Sequence, residues 1–556
     1  MRRALCIYFL AGAAIAQVHR DPIRGRMPAS NAATGSGAIE GTVSDAASHA
    51  PLKKAQVTMN GSIANPLTAV TGDDGRFVFR ELPAGNYWMN ASKSGFNPPQ
   101  AIFGAEANSG IVLGEGENRK GVEIALMPGA SIAGRVVNEE GSPVRGCSIS
   151  AVQTAYEQNR RGLSTAGGGS TNDRGEYRVN NLAPGRYYVF AHCQAELPAA
   201  HPLLPRGDPR TPHQTYLPQL HGGGLDPATA PRLTVTAGGT LEGIDFQMMR
   251  VPAVTLRGSI TGAEAEAFTA GVNIMLLPAN RAMRNLMLMS AATDSRSHKF
   301  QIEPVLPGSY ILIAFSIHEG RVFAAQQAVE VAAAIPQPLE ISLQSGAEMK
   351  GSVQYDSDDH PPLENGQISL APVDGPYFMP QPQAKMDKDG AFTLTGVLPG
   401  RWRLMVSAPG YAKSVSLAGQ PVSQQGFQVA AGAGPLRIVM GSKQADVHVE
   451  IAGAASDRQV SALIFPEDPG RLGAGLERVG SAMGTGRIEF GALPPGRYRV
   501  FATDSLNPWP ILQRPDWLKA LESHTAAIEV PENGKVGVTV EIIPRDELMR
   551  AVEEQQ

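Results

Sequence analysis

The sequence predicts an all-β chain, a tandem array of about five β-sandwich domains, and three observations predict it. One hairpin phrase recurs five times, as DDGRFVFRELPAGNYWMNA, NDRGEYRVNNLAPGRYYVFA, KFQIEPVLPGSYILIA, DGAFTLTGVLPGRWRLMV and GRIEFGALPPGRYRVFA. Its corner glycines, Gly85, Gly185, Gly308, Gly400 and Gly496, lie about a hundred residues apart, the size of a domain and not of a solenoid repeat. Between the phrases, apolar residues alternate with polar ones over short runs broken by Gly and Pro, as in half-buried strands.

The phrase explains its own fold. Asp173, Arg174 and Gly175 make a turn, because Asp bonds its own backbone and Gly accepts positive φ. Tyr177 and Val179 then alternate inward. Pro184 fixes φ, Gly185 takes a conformation closed to side chains, and Tyr187, Val189 and Ala191 share one face of the next strand. Tyr87, Tyr187, Tyr310, Trp402 and Tyr498 occupy one equivalent position, where an aromatic burying on the order of 150 to 250 Å² anchors each core.

In chain order, Arg2 and Arg3 precede an apolar run that ends Ala14-Ile15-Ala16, the pattern of a secretory signal over residues 1–16 cleaved after Ala16 and too short to span a bilayer. Residues 17–36 mix charge, Pro, Gly and Ala without period and read as a flexible linker. Sandwich repeats follow over 37–128, 129–249, 250–344, 345–441 and 442–545. The second carries a Pro-rich insert, 196–231, read as an ordered surface excursion because prolines exclude a central strand. The third is degenerate, with Asp294-Ser295-Arg296 in place of Asp-Gly. The fifth contains NPWPILQRPDWLKALES, whose last third has helical composition. The charged tail, 546–556, is expected to form one or two exposed helical turns.

Bulk properties narrow the function classes. A chain of 556 residues exceeds one core. A formal net charge of -4 argues against a phosphate-binding surface, so no nucleic acid partner is expected. No later stretch is apolar for long enough to span a membrane as a helix. Of the three cysteines, Cys6 leaves with the signal. Cys147, in phase with Ile149 and Ala151, and Cys193, in phase with Tyr187, Val189 and Ala191, point into one core. They either form a disulfide, as an oxidising compartment permits, or sit there as two small apolar thiols.

The pattern GxV, then DG.f.f..LpaG.Y.l.a, closed by a strand after a Gly-rich turn, resembles the carboxypeptidase regulatory-like domain, a transthyretin-like or prealbumin-like sandwich related to Cna B-type repeats. The resemblance runs over nearly all of 36–543 and implies a non-catalytic companion domain, found in tandem in exported bacterial proteins. It also directs attention to chemistry that such folds carry. A zinc carboxypeptidase needs His-x-x-Glu and a distant His, and the sequence has no His-x-x-Glu. His192, His201, His213 and His221 are irregularly spaced and read as solvent-exposed loop histidines, so no metal or cofactor is expected. Hydroxyisourate-type hydrolases of this fold end in Tyr-Arg-Gly-Ser, unlike the ending DELMRAVEEQQ here. Gly-x-Ser-x-Gly and P-loop motifs are absent. Asp73-Asp74-Gly75 and Asp387-Lys388-Asp389-Gly390 resemble the start of a calcium loop without its full spacing and read as turns. Lys350 lies on an opening strand, the place of an isopeptide lysine, without an aligned Asn or acid.

Trp88 and Tyr188 follow the inward tyrosine by one residue and so face away from their own cores. They are the candidate binding residues, as stacking platforms for sugars. The plainer expectation is that they pack on a linker or neighbouring repeat. The expected protein is therefore not an enzyme but an exported binding or structural scaffold at the bacterial envelope, secreted or periplasmic, with protein or polysaccharide partners. The alternatives are a secreted carbohydrate-binding protein using outward aromatics and an accessory chain of an extracellular enzyme.

Overall fold

The computed structural model describes residues 35–544 and 547–548 apart from 99–110, 158–159, 194–212, 263–270, 333–336, 374–380, 454–458, 473–475, 484–485 and 505–508 and the single positions 295, 320, 359, 365 and 513. The expected signal peptide, His201, nearly all of the linker, the first half of the Pro-rich insert and most of the tail lie outside the described residues.

The chain is all-β, and its buried apolar residues form five large clusters in sequence order, spanning Ile39 to Leu126, Ala130 to Met248, Val254 to Leu343, Met349 to Met440 and Ala445 to Val540. Each cluster is sandwiched between two sheets with the same plan. An opening strand, Gly37–Asp45 in the first unit, pairs antiparallel with the strand that enters the corner, Arg76–Leu82, and parallel with the closing strand, Asn118–Pro128. The same antiparallel and parallel partners flank the opening strands Ala130–Val137, Arg250–Thr261, Ala347–Tyr355 and Ala445–Ala452. The second sheet forms around the strand that leaves the corner, as where Gly85–Ser92 pairs with Gln56–Gly61. In the fifth unit one strand, Gly534–Ile543, pairs with both Ala445–Ala452 and Gly496–Thr503 and joins the two sheets.

The corner is made by backbone geometry that demands glycine. Gly85, Gly185, Gly308, Gly400 and Gly496 have φ between 146 and 157°, where a Cβ is strained. The preceding turn ties onto the opening strand: Val43, Val136 and Val353 each donate their N–H to the carbonyl of Gly75, Gly175 or Gly390 at 2.8 Å. A Cβ on Gly175 would stand 2.4 Å from the Val136 carbonyl oxygen. The degenerate third unit keeps this bond without glycine. His298 adopts φ 54° at the equivalent position, and its carbonyl accepts the Ile260 N–H at 2.9 Å.

Three expectations are corrected. The described part of the Pro-rich insert is ordered but woven into its own unit and the next: Gln219–Leu220 pairs with Phe190 and Ala191, while His213–Tyr216 becomes an edge strand on Arg250–Thr261 of the third unit. At an edge, proline nearby leaves no central ladder bond unmade. Helix in the fifth insert begins earlier than expected, with Trp509–Leu512 and Pro515–Ala520 followed by a 3-10 turn, Glu522–His524. The tail is not simply exposed either. Leu548 is fully buried with Ile511, Leu512, Trp517, Leu518 and Leu521 against Leu463 and Phe501 on the outer face of that sheet, because those apolar side chains offer it a dry groove. Among the described residues no helix is long and apolar enough to cross a membrane.

Candidate functional site

The anchor positions behave alike in packing. Tyr87, Tyr187, Tyr310, Trp402 and Tyr498 are all buried. Four of them also close the corner chemically, by donating to the carbonyl four residues earlier. Tyr87 Oη reaches Pro83 O at 2.6 Å, Tyr187 Oη reaches Ala183 O at 2.6 Å, Tyr310 Oη reaches Leu306 O at 3.0 Å, and Trp402 Nε1 reaches Leu398 O at 2.8 Å. A buried phenol or indole thus satisfies its polar tip at the bend that created its pocket. Tyr498 Oη is the exception, buried with no hydrogen-bond partner among the described residues. There Arg471 lies so close to the corner that a Cβ on Gly496 would be 2.7 Å from its Nη1.

Cys147 and Cys193 are joined as a disulfide, with Cα atoms 4.1 Å apart. They flank neighbouring antiparallel strands, Ser148 opposite His192, and both are fully buried in the second core. Beside them sits a residue that the sequence reading missed. Thr171 Oγ1 accepts the Cys147 N–H at 2.9 Å and donates to Val144 O at 2.7 Å, and Thr71 makes the same clamp between Ala55 N–H and Leu52 O in the first unit. The available signal was a threonine just before the turn in the first two units, Thr71 ahead of Asp73-Asp74-Gly75 and Thr171 ahead of Asp173-Arg174-Gly175.

Groups that could have carried chemistry are engaged in structure. Asp387 Oδ1 accepts the N–H groups of Asp389 and Ala391 at 3.0 and 2.8 Å, and Asp74 Oδ1 accepts the Arg76 N–H at 3.1 Å, which is the Asx-turn use of a carboxylate. Lys350 is exposed on its strand, facing away from the core. The reading of the histidines as solvent-exposed is corrected for two of them. His192 is partly buried on Gly185–His192, and His221 packs edge-on against Phe246 with ring centroids 5.6 Å apart. Burial pushes both imidazoles below their ordinary range, the nearby Asp245 carboxylate working the other way on His221. Among the described residues no group of three or more His, Cys, Asp or Glu is placed to hold a metal ion.

The two outward aromatics part company. Trp88 is 49% exposed, whereas Tyr188 is 2% exposed, so the reading of Tyr188 as a free stacking platform is corrected. It lies in a second apolar cluster with Val152, Leu163, Phe190 and Leu220 of its own unit and Met283 of the next. Arg232 covers the ring, its guanidinium carbon 5.7 Å from the centroid and its Nε donating to Tyr188 Oη at 2.9 Å. The cause is the insert folding back over this face. Among the described residues no such cover meets Trp88, whose strand leaves Asn86, Trp88 and Asn90 outward while Tyr87, Met89 and Ala91 fill the core.

Comparisons with known proteins can be set beside this geometry. Residues 38–126 match the carboxypeptidase regulatory-like domain family. No curated protein matches the chain significantly. Among solved structures, the chain is similar to the minor pilin of Streptococcus agalactiae, at 13% identity over 39% of this chain and 97% of that one, with a TM-score of 0.23. It is similar to the major pilin subunit of Bacillus cereus, at 10% identity over 56% of this chain and 99% of that one, TM-score 0.14. It is also similar to a putative carbohydrate binding protein from Pseudomonas aeruginosa, at 14% identity over 16% of this chain and 88% of that one, TM-score 0.13. Scores of this size carry no functional weight.

Proposed function

We propose, from a first unit that matches the carboxypeptidase regulatory-like domain family and four more sandwiches of the same plan behind it, that the chain is an exported, non-catalytic scaffold at the bacterial envelope. The observation that carries this reading is how the units are joined. Only Gly129 separates the strand ending at Pro128 from the one beginning at Ala130, and only Gly346 separates Ser345 from Ala347.

These short junctions are also bonded across. Gly129 N–H donates to Gly95 O at 2.8 Å, Asn97 Nδ2 donates to Asn181 O at 3.1 Å, and Gly346 N–H donates to Val322 O at 2.9 Å. Between the last two units, Lys413 and Lys443 both reach Glu532, at 3.9 and 3.8 Å. Connections this short leave little slack between one sandwich and the next, which suits a spacer or display role. The Cys147–Cys193 bond suits an oxidising compartment. His192 and His221, engaged in packing, and the turn carboxylates, engaged in backbone bonds, support the non-catalytic part.

Fractionation of the producing cell with thiol labelling tests the reading. The expected result is a chain beginning at Gln17, outside the cytosol, with neither Cys147 nor Cys193 labelled before reduction. A cytosolic chain with both thiols reactive would overturn it. A second reading, secreted carbohydrate binding, is favoured by one observation, the exposed indole of Trp88.

A further inference from the structure

The sheet that carries Trp88 is built from Gln56–Gly61, Leu67–Val70, Gly85–Ser92 and Ile111–Leu113, and none of the residues in these four strands is charged. The companion sheet of the same unit carries Glu40, Arg76, Arg80, Arg119, Lys120 and Glu123. Register places Asn60 directly opposite Trp88, Thr58 opposite Asn90, and Val112 opposite Asn86. Cross-strand neighbours stand about 5 Å apart, and Asn86 and Asn90 flank the indole along its own strand at about 7 Å. The outer face thus carries one half-exposed aromatic ring with amides and a hydroxyl beside it, and the exposed side chains of Val70 and Val112 at its edges.

The equivalent position in the other units is differently occupied. Tyr188 is buried, and Arg499 is held by Glu467 and Glu522 at 3.0 and 3.2 Å. Ile311 and Arg403 stand at the remaining two, both partly buried.

We propose that this face of the first unit binds a neutral polysaccharide, with the C–H face of a pyranose ring on Trp88 and its hydroxyls on the side chains of Asn60, Asn86 and Asn90. The proposal rests on the carbohydrate-binding reading and gives it a site and a ligand class. Each amide offers both a donor and an acceptor, which matches a sugar hydroxyl that is itself both. An indole gives a flat apolar surface of the right kind for axial hydrogens. The absence of charge on the whole sheet selects against other occupants: an acidic glycan or a nucleic acid would lose hydration there without meeting a cation.

The test uses the full chain on cellulose, chitin, xylan and β-mannan as neutral probes, with polygalacturonate and heparin as charged ones. The wild type is expected to be retained on a neutral probe and not on the charged ones. Trp88→Ala should weaken that retention at least tenfold, and Trp88→Phe should restore most of it. Because the side chain is half in water, both variants should keep the wild-type circular dichroism and melting temperature. Retention on a neutral probe that is unchanged in Trp88→Ala would overturn this site while leaving the broader carbohydrate reading standing. No retention on any probe would overturn both. Retention on the charged probes alone would overturn the ligand class, and self-association abolished by Trp88→Ala without glycan binding would make the face an interface between copies instead.

Discussion

At each corner an aromatic side chain fills the pocket and, in four of the five, bonds the bend that formed it. The two effects can be separated, because Tyr187 Oη has a partner and Tyr498 Oη has none. Tyr187→Phe should cost about 1 kcal/mol, the worth of a satisfied buried hydrogen bond. Tyr498→Phe should cost nothing or stabilise, since it removes an unpaired buried hydroxyl. Hydrogen exchange of the amides in each unit measures both. Burial also pushes the Tyr187 phenol from its ordinary value of 10 up to about 12, and Tyr177 is pushed up as well, by burial first and the Asp245 carboxylate second. The unfolded chain then loses these protons from pH 10 while the folded one keeps them. Their stabilising contribution is full below pH 10 and lost as pH rises toward 12. A denaturation series across that window should show the second unit weakening, and Tyr187→Phe should flatten the decline. The anchor positions were legible in sequence because strand alternation and a glycine bend are local. That Tyr188 packs on a neighbouring repeat was the plainer expectation, but its partners, Arg232 and Met283 in the next unit, were not legible because they are distant in sequence.

Among elements, the hairpins read directly from their turns, and even the degenerate third one keeps its geometry by putting His298 where glycine stands elsewhere. What sequence could not give was pairing between distant strands. His213–Tyr216 joining the third unit's sheet depends on where an edge is left open, and a proline-rich stretch announces only that it is no central strand. The disulfide is the strongest element-scale constraint. It spans a sequence separation of 46 residues, and closing a loop of this length contributes about 4 kcal/mol in the chain-entropy picture, with typical measured values of about 2 to 4. Reduction, or the paired change of Cys147 and Cys193 to Ala, should lower the stability of the second unit by about that amount. The fourth, which has no cysteine, should be unmoved, and differential scanning calorimetry reads both.

For the whole molecule, the central claim is that five alike sandwiches stand in series, joined by one to three residues and bonded across their joints. Single-molecule pulling of the full chain tests it most directly. The account predicts five force events, each releasing about a hundred residues, roughly 330 to 360 Å of extended chain. The second unit should fall short of its full length by the segment between Cys147 and Cys193 until a reductant is added. One long release, or steps that bear no relation to the unit length, would contradict it.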